Sequence, residues 1–264
     1  MTVWLDVYRY RDLFLNLFRR ELRAKYKGSA LGIVWSLLNP LALVGVYTLV
    51  FSIFLKVKGI EHFPLFVVSG LLSWVFFQTS VQSSCASLLG QASLIKQVRF
   101  PRQLLPLSVV ATNLVTFAVM LAVILPISLV VRPETRSTFW AVFPLSLALV
   151  ALASGLAVTV ACVNVLFRDV EHLVATVLLP LFFLTPVFYT FDSIPAVEQH
   201  ETLVNVIHYG NVLTPVLEAI RDPLFYGRLP SAVDTVYAAV AGIASLALGA
   251  LVFRRADDQL AVQL

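Results

Sequence analysis

Six stretches of the chain are continuously apolar over lengths that suit a bilayer rather than a soluble core. They run Leu31–Leu55, Phe63–Leu89, Leu104–Val131, Phe139–Phe167, Leu173–Tyr189 and Ala232–Phe253. A hydrocarbon core needs about 20 apolar residues per helical crossing. Asp, Glu, Lys and Arg are missing from all six except Asp234, at the edge of the last. Only helices and closed barrels satisfy the backbone in lipid, and unbroken apolar runs without two-residue alternation select helix. The pattern therefore predicts an all-α membrane protein of six transmembrane helices, folded as one domain over residues 1–264.

Three pieces between the crossings are patterned differently. Residues 1–28 carry Tyr10, Leu13, Phe14, Leu17 and Phe18 on one helical face, with Asp12, Asn16, Arg19 and Arg23 opposite. This predicts an interfacial amphipathic helix, its arginines toward anionic head groups. It serves either as a topology anchor or also as a contact for a cytoplasmic partner. Residues 91–103 place Leu94, Ile95 and Val98 on one face of a short helix beside Lys96 and Arg99, with Pro101 ending it. Apolar residues flanked by charge on a loop suggest a docking surface, the alternative being a plain basic loop. Residues 190–231 hold two apolar patches, Leu203–Tyr209 and Val212–Tyr226, too short to cross and too apolar for a free loop. They predict short re-entrant or interfacial helices.

Composition and charge then narrow the class. The chain is 59% hydrophobic and 13% charged, against about 25% charged in soluble domains. A net charge of +4 is explained by topology rather than by a polyanionic partner, and no nucleic-acid-binding module is present. Thirteen of the 19 basic residues fall on one side of the predicted membrane: the N-terminal segment, Lys96, Arg99, Arg102, Arg168, Arg254 and Arg255. Basic loops stay in the cytoplasm, which puts both termini inside. The start does not read as a cleavable signal peptide.

The chemistry expected of other classes is missing from the sequence. There is no Gly-x-x-x-x-Gly-Lys-Ser/Thr loop for nucleotide phosphates. The predicted spans carry no ionisable group at depth for a coupling ion. Cys85 and Cys162 lack metal spacing, His62, His172, His200 and His208 are scattered, and neither catalytic nor metal-ligating residues are expected. A permease driven from outside the chain fits best, with a channel or scaffold as the alternative class.

Four segments resemble, in order, the ABC-2 type permeases of the polysaccharide, O-antigen and teichoic acid export branch. They are the stretch from Arg20-Glu21-Leu22-Arg23-Ala24-Lys25-Tyr26-Lys27 to Trp35-Ser36-Leu37-Leu38-Asn39-Pro40, then Lys96-Gln97-Val98-Arg99-Phe100-Pro101, then Asn164-Val165-Leu166-Phe167-Arg168-Asp169-Val170, and Thr185-Pro186-Val187-Phe188-Tyr189. One departure is Val212, where the family often has proline after Asn211. The resemblance implies a homodimer in the bacterial cytoplasmic membrane, with two ABC ATPase subunits that hold the ATP and Mg. It implies a substrate linked to polyprenyl diphosphate, a glycan or teichoic acid. An exporter of a drug or small lipid is the alternative.

On that reading, ATPase coupling falls to Leu94, Ile95, Lys96, Val98, Arg99 and Phe100. Arg20, Arg23, Lys25, Lys27 and Arg168 are candidates for the lipid-head entrance, though topology alone could equally demand the N-terminal ones, and Arg168 with Asp169 also reads as a plain helix-end charge pair or as a brace for the ATPase contact. Aromatic rings suit the C–H faces of sugars, and Trp35, Tyr47, Phe51, Phe182, Phe183, Phe188 and Tyr189 are candidates for the translocation path. Aromatic stripes more often serve packing or interfacial belts. Pro180 and Pro186 each remove a hydrogen bond from the fifth crossing.

Overall fold

The computed structural model describes residues 2–29, 31–50, 60–97, 100–191 and 201–263. It is helical, with no strand among the described residues. The α-helices are α1 Thr2–Arg9, α2 Arg11–Tyr26, α3 Trp35–Tyr47, α4 Phe63–Cys85, α5 Ala92–Gln97, α6 Leu104–Val131, α7 Val142–Leu166, α8 Val170–Leu184, α9 Glu201–Gly210, α10 Thr214–Arg221 and α11 Ala232–Gln263. Four stretches are long and apolar enough to cross a membrane: Phe63–Cys85, Leu104–Val131, Phe139–Leu166 and Ala232–Ala256. The other two predicted crossings are represented by shorter apolar helices, Leu37–Val50 and Val170–Leu184. Residues 51–55 of the first lie outside the described residues.

The fifth predicted crossing is displaced from its expected bounds. Its helix starts at Val170 and stops at Leu184, five residues before Tyr189. The cause is local. Pro186 forces the preceding residue out of the helical region, and Thr185 is extended (φ −86, ψ 130). Thr185 Oγ1 then donates to the Leu181 carbonyl at 2.7 Å. Pro180, inside α8, is tolerated.

Two apolar clusters fill the bundle. The larger joins α4, α6, α7 and α10 around Phe66, Leu71, Leu149, Leu217 and Phe225. The smaller lies at the end where α2 packs, here the proximal end, the end with α10 being the distal one, and gathers Leu17 of α2, Leu88, Leu104 and Leu105, Val158, Val165 and Phe253. Here the amphipathic face expected of residues 1–28 is used differently. The segment is two helices meeting at Tyr10, and Leu13, Phe14 and Leu17 pack on the proximal cluster. Arg19 and Arg23 stay exposed. At the distal end the π-turn Asp222–Tyr226 is held by Thr138 Oγ1, which donates to the Pro223 carbonyl at 3.2 Å, and by Ser128 Oγ, which donates to Leu224 O. Gly227 closes that turn at φ +66, against Glu134.

Helices α7 and α11 touch backbone to backbone. A Cβ on Gly155 would lie 2.1 Å from the Ser245 carbonyl, and one on Gly249 would lie 2.7 Å from the Gly155 oxygen. Lipid supplies no hydrophobic drive between helices, so close approach through small residues is what joins them. Ser245 Oγ adds a bond to the Leu152 carbonyl at 2.7 Å. Gly155→Leu is expected to cost roughly 3 kcal/mol or more through overpacking. It should appear as a lower melting temperature of the detergent-solubilised protein, and an unchanged melting curve would refute the contact.

Candidate functional site

At the proximal end, Lys25 leaves the exposed face of α2 and turns its ammonium inward. Nζ donates to Asn113 Oδ1 at 2.9 Å and to Thr116 Oγ1 at 3.0 Å, both on α6. Burial pushes its pKa down from the usual lysine range, partly offset by Tyr26. Lys25 walls a cavity of about 390 Å³ with Tyr26, Trp35, Asn39 and Thr79. Of the predicted lipid-head residues, only Lys25 reaches this cavity. Arg20 pairs with Glu21 at 3.6 Å, while Arg23, Lys27 and Arg168 are exposed elsewhere on the surface. Trp35 belongs here too, apart from the other predicted path aromatics.

Those aromatics converge. Tyr47 stacks on Phe188 (centroids 5.1 Å, 9° between planes) and meets Phe182 at 6.2 Å. Phe183 contacts Phe182 at 5.4 Å and Phe188 at 6.2 Å, and Tyr189 lies 5.4 Å from Phe188. The Tyr189 hydroxyl donates to the Phe183 and Leu184 carbonyls, tying the chain after Pro186 back to the end of α8. Trp74 of α4, which the pattern of the chain did not single out, joins at 5.1 Å from Phe182. Phe183 is exposed and Phe188 nearly buried; Phe51 lies outside the described residues.

The predicted docking loop does form a helix, α5, but its apolar side is partly occupied. Leu94, Ile95 and Phe100 are half-buried against the proximal cluster, and Lys96 is exposed. The N-terminal helices grip the loop at both ends. Gln91 Nε2 donates to Glu21 at 3.3 Å, and Gln103 Nε2 to Asp6 at 2.8 Å. Val98 and Arg99 lie outside the described residues. Nearby, buried Asn164 donates to the Cys85 carbonyl at 2.9 Å and accepts from the Glu171 amide at 3.1 Å. One amide thus ties the ends of α4 and α7 to the start of α8, a role not legible from its neighbours in sequence.

The distal end holds a buried cation that no pattern of the chain places inside. Arg221, at the end of α10, is 2% exposed. Its two Nη atoms donate to the Pro186 and Val187 carbonyls at 2.6 and 2.9 Å. Its guanidinium lies 4.1 Å from the Phe66 ring centroid. Burial lowers its pKa to about 10, against the pull of Glu218, Tyr226 and Asp222. The carbonyls are available because Pro186 ended α8. Asn211 sets the approach of α10: its Nδ2 donates to Thr185 Oγ1 at 2.7 Å, and its Oδ1 accepts from the Leu213 amide. Val212 stands between Asn211 and Leu213 in this turn.

Beside Arg221 a cavity of about 570 Å³ opens between α9, α10 and the start of α11. His208 stands between two carboxylates, Nδ1 3.4 Å from Glu218 and Nε2 3.4 Å from Asp234. Arg228 pairs with Asp222 at 2.9 Å. Among the described residues no group of three or more His, Cys, Asp and Glu is arranged to hold a metal. Burial raises the Glu218 pKa above its ordinary value of 4.5, with His208 and Arg221 pulling it back. Its protonated form is therefore favoured by folding. That stabilisation is complete below 4.5 and is lost as pH rises through the raised value. Glu218→Gln is expected to raise the melting temperature at pH 7, with the gain shrinking toward pH 4. A gain that grows on acidification would contradict this.

Among the described residues, an all-helical bundle with four helices long and apolar enough to span defines a polytopic membrane protein. The chain matches the family described as ABC-2 type transporter over residues 12–225, and it belongs to that family. It is 33% identical over 258 residues to an O-antigen export system permease protein of Myxococcus xanthus, covering 97% of this chain and 96% of that one. A permease of the same description from Klebsiella pneumoniae is 31% identical over 186 residues, 70% of this chain and 71% of its own. The polysialic acid transport protein of Escherichia coli is 23% identical over 252 residues, 92% of each.

Proposed function

We propose that this chain is the membrane-spanning permease of an ABC exporter that moves a polysaccharide, carried on polyprenyl diphosphate, across the bacterial cytoplasmic membrane. The observation that carries the reading is end-to-end similarity to an O-antigen export permease, with 97% of this chain aligned. The chain itself is a transport subunit, not an enzyme. ATP and its Mg belong to a separate ATPase, two copies of which serve a homodimer of this chain. In this reading α3 and α8 complete six crossings, both termini are cytoplasmic, and α9 and α10 dip into the outer face without crossing.

The geometry gives force a short route. The ATPase docks on the exposed side of α5 around Lys96, with Val98 and Arg99 following. Because Leu94, Ile95 and Phe100 are anchored in the proximal cluster, a push on α5 moves the ends of α4 and α6 as a unit. The polyprenyl diphosphate is drawn by Arg20, Arg23, Lys27 and Arg168 to the cavity walled by Lys25 and Trp35. The glycan passes the rings of Tyr47, Phe182, Phe183, Phe188 and Tyr189, with Phe51 following Tyr47 in sequence. Rings meet the C–H faces of sugars without demanding one sequence of them.

Deleting the gene tests the reading. Cells are expected to lose surface glycan and to accumulate the lipid-linked polymer inside. A normal surface with lost drug resistance would instead establish the drug or small-lipid alternative. In parallel, a companion ATPase should co-purify with the chain and depend on it for turnover.

A further inference from the structure

Helix α9 is fastened to the bundle by polar contacts rather than by a buried face. None of its described side chains is buried, and none belongs to either apolar cluster. Val204, Asn205, His208 and Tyr209 nevertheless form one wall of the distal cavity. His208 sets its two ring nitrogens against carboxylates on two different helices. Nδ1 is 3.4 Å from Glu218 of α10, and Nε2 is 3.4 Å from Asp234 of α11. The Tyr209 carbonyl accepts from the Tyr237 hydroxyl of α11 at 2.7 Å, and Phe191 lies 5.8 Å from the imidazole. One imidazole is thus the link that joins three distal helices.

That link depends on a proton. A charged imidazole donates from both nitrogens, whereas a neutral one has a single donor and a single acceptor. A second arrangement serves as well: neutral His208 donates from Nε2 to Asp234 and accepts at Nδ1 from a protonated Glu218. Burial favours that protonated carboxyl, with His208 pulling it back. The pair therefore holds α9 while one proton is shared between its members, and it titrates as a pair. Once that proton leaves, a carboxylate faces the Nδ1 lone pair and the tie to α10 is lost. The other charged and titratable groups around the ring are otherwise engaged. Arg221 is fixed by the Pro186 and Val187 carbonyls, and Asp222 is paired with Arg228. Tyr189, Tyr226 and Tyr237 carry phenols, a group that ordinarily titrates near about pH 10.

We propose that His208 is a proton-operated latch, holding α9 against the distal cavity while the His208–Glu218 pair keeps its proton and releasing α9 when that proton is lost. The closed form binds the proton and the open form gives it up, so closure is complete at low pH and is lost as pH rises. Imidazole is the side chain that ordinarily changes charge between about pH 5 and 8. The latch goes beyond the export reading and requires neither a particular cargo nor an ATPase. In the orientation proposed above it faces outward, and the external medium sets it.

The test uses the full chain in lipid nanodiscs, with nitroxide labels on Val206→Cys of α9 and Val233→Cys of α11. Both positions are exposed, while the native Cys85 and Cys162 are buried. Labelled chains are diluted with unlabelled ones, so that double electron–electron resonance reads distances within one chain. Between about pH 6 and about pH 9 the ratio of long to short distances is expected to rise by about tenfold or more. His208→Ala should show the long distance at both pH values. Glu218→Gln should stay short at both, because its amide donates to the neutral imidazole at any pH. A distance that ignores pH in the unsubstituted chain would overturn the latch. So would a pH response that persists in His208→Ala, or a Glu218→Gln chain that opens like the unsubstituted one. None of these distances depends on what the chain exports, so the latch and the export reading fail separately.

Discussion

Gly70→Ala is expected to be among the most damaging single-methyl additions in the protein. A Cβ at Gly70 would sit 2.1 Å from Arg221 Nη2, 2.9 Å from the Val187 carbonyl oxygen and 3.2 Å from Val187 Cα. The far end of a flexible arginine could ordinarily yield, but this one is fixed. Its guanidinium is wholly buried, bonded to two carbonyls and stacked on Phe66. Moving it leaves a buried charge without its partners, which costs roughly 3–5 kcal/mol. Simple overpacking would cost about 1–3 kcal/mol. Arg221→Met removes the obstruction and the charge together, so the double variant Gly70→Ala/Arg221→Met is expected to melt higher than Gly70→Ala alone. That coupling, read as non-additivity of melting temperatures in detergent, is the decisive measurement. Additive effects would show that glycine and arginine do not meet.

The membrane class and most crossings were legible in the chain because an uncharged apolar run has few other uses. Helices α4, α6, α7 and α11 begin or end within a few residues of the predicted bounds. The end of α8 was not, although its cause is written in the sequence: Pro186 lies inside the apolar run that predicts the fifth crossing, and Thr185 leaves the helix ahead of it. The two inward-turned cations were harder. Lys25 finds its partner 88 residues away, and Arg221 finds its carbonyl 34 residues upstream. Each sits in a charged or mixed neighbourhood that reads as solvated. Spans free of charge do not make a charge-free interior when flanking segments fold back on them.

The aromatic cluster was half legible for a similar reason. Tyr47, Phe182 and Phe188 announce themselves as rings in apolar runs, but their stacking depends on how α3 meets the chain after α8. Trp74 was hidden because α4 is apolar on all sides, so no face of it stands out. On α5 the apolar side chains had two possible partners, the bundle or another subunit. Leu94 and Ile95, with Phe100 just beyond the helix, turn to the bundle, and only the polar side of α5 is left facing out.

Lys25→Met is expected to cut glycan export by about tenfold or more, while the protein folds and inserts normally. The stem of Lys25 runs along the surface, so methionine preserves its packing. What is lost is an ammonium within 3.0 Å of both Asn113 and Thr116, on the wall of the cavity of about 390 Å³. Net hydrogen bonds of this kind contribute little to stability, about 0.5–1.5 kcal/mol each. A cation that receives a diphosphate acts on transport instead, through charge-assisted bonds that a thioether cannot make. Lys25→Arg keeps the charge but must fit a planar fork where a compact ammonium sat, and partial export is expected. The comparison that matters is with Lys27→Met, whose side chain is exposed away from the cavity. If charge near the membrane were all that counted, the two methionine variants would export alike; the geometry requires Lys25→Met to fall well below Lys27→Met at equal membrane abundance.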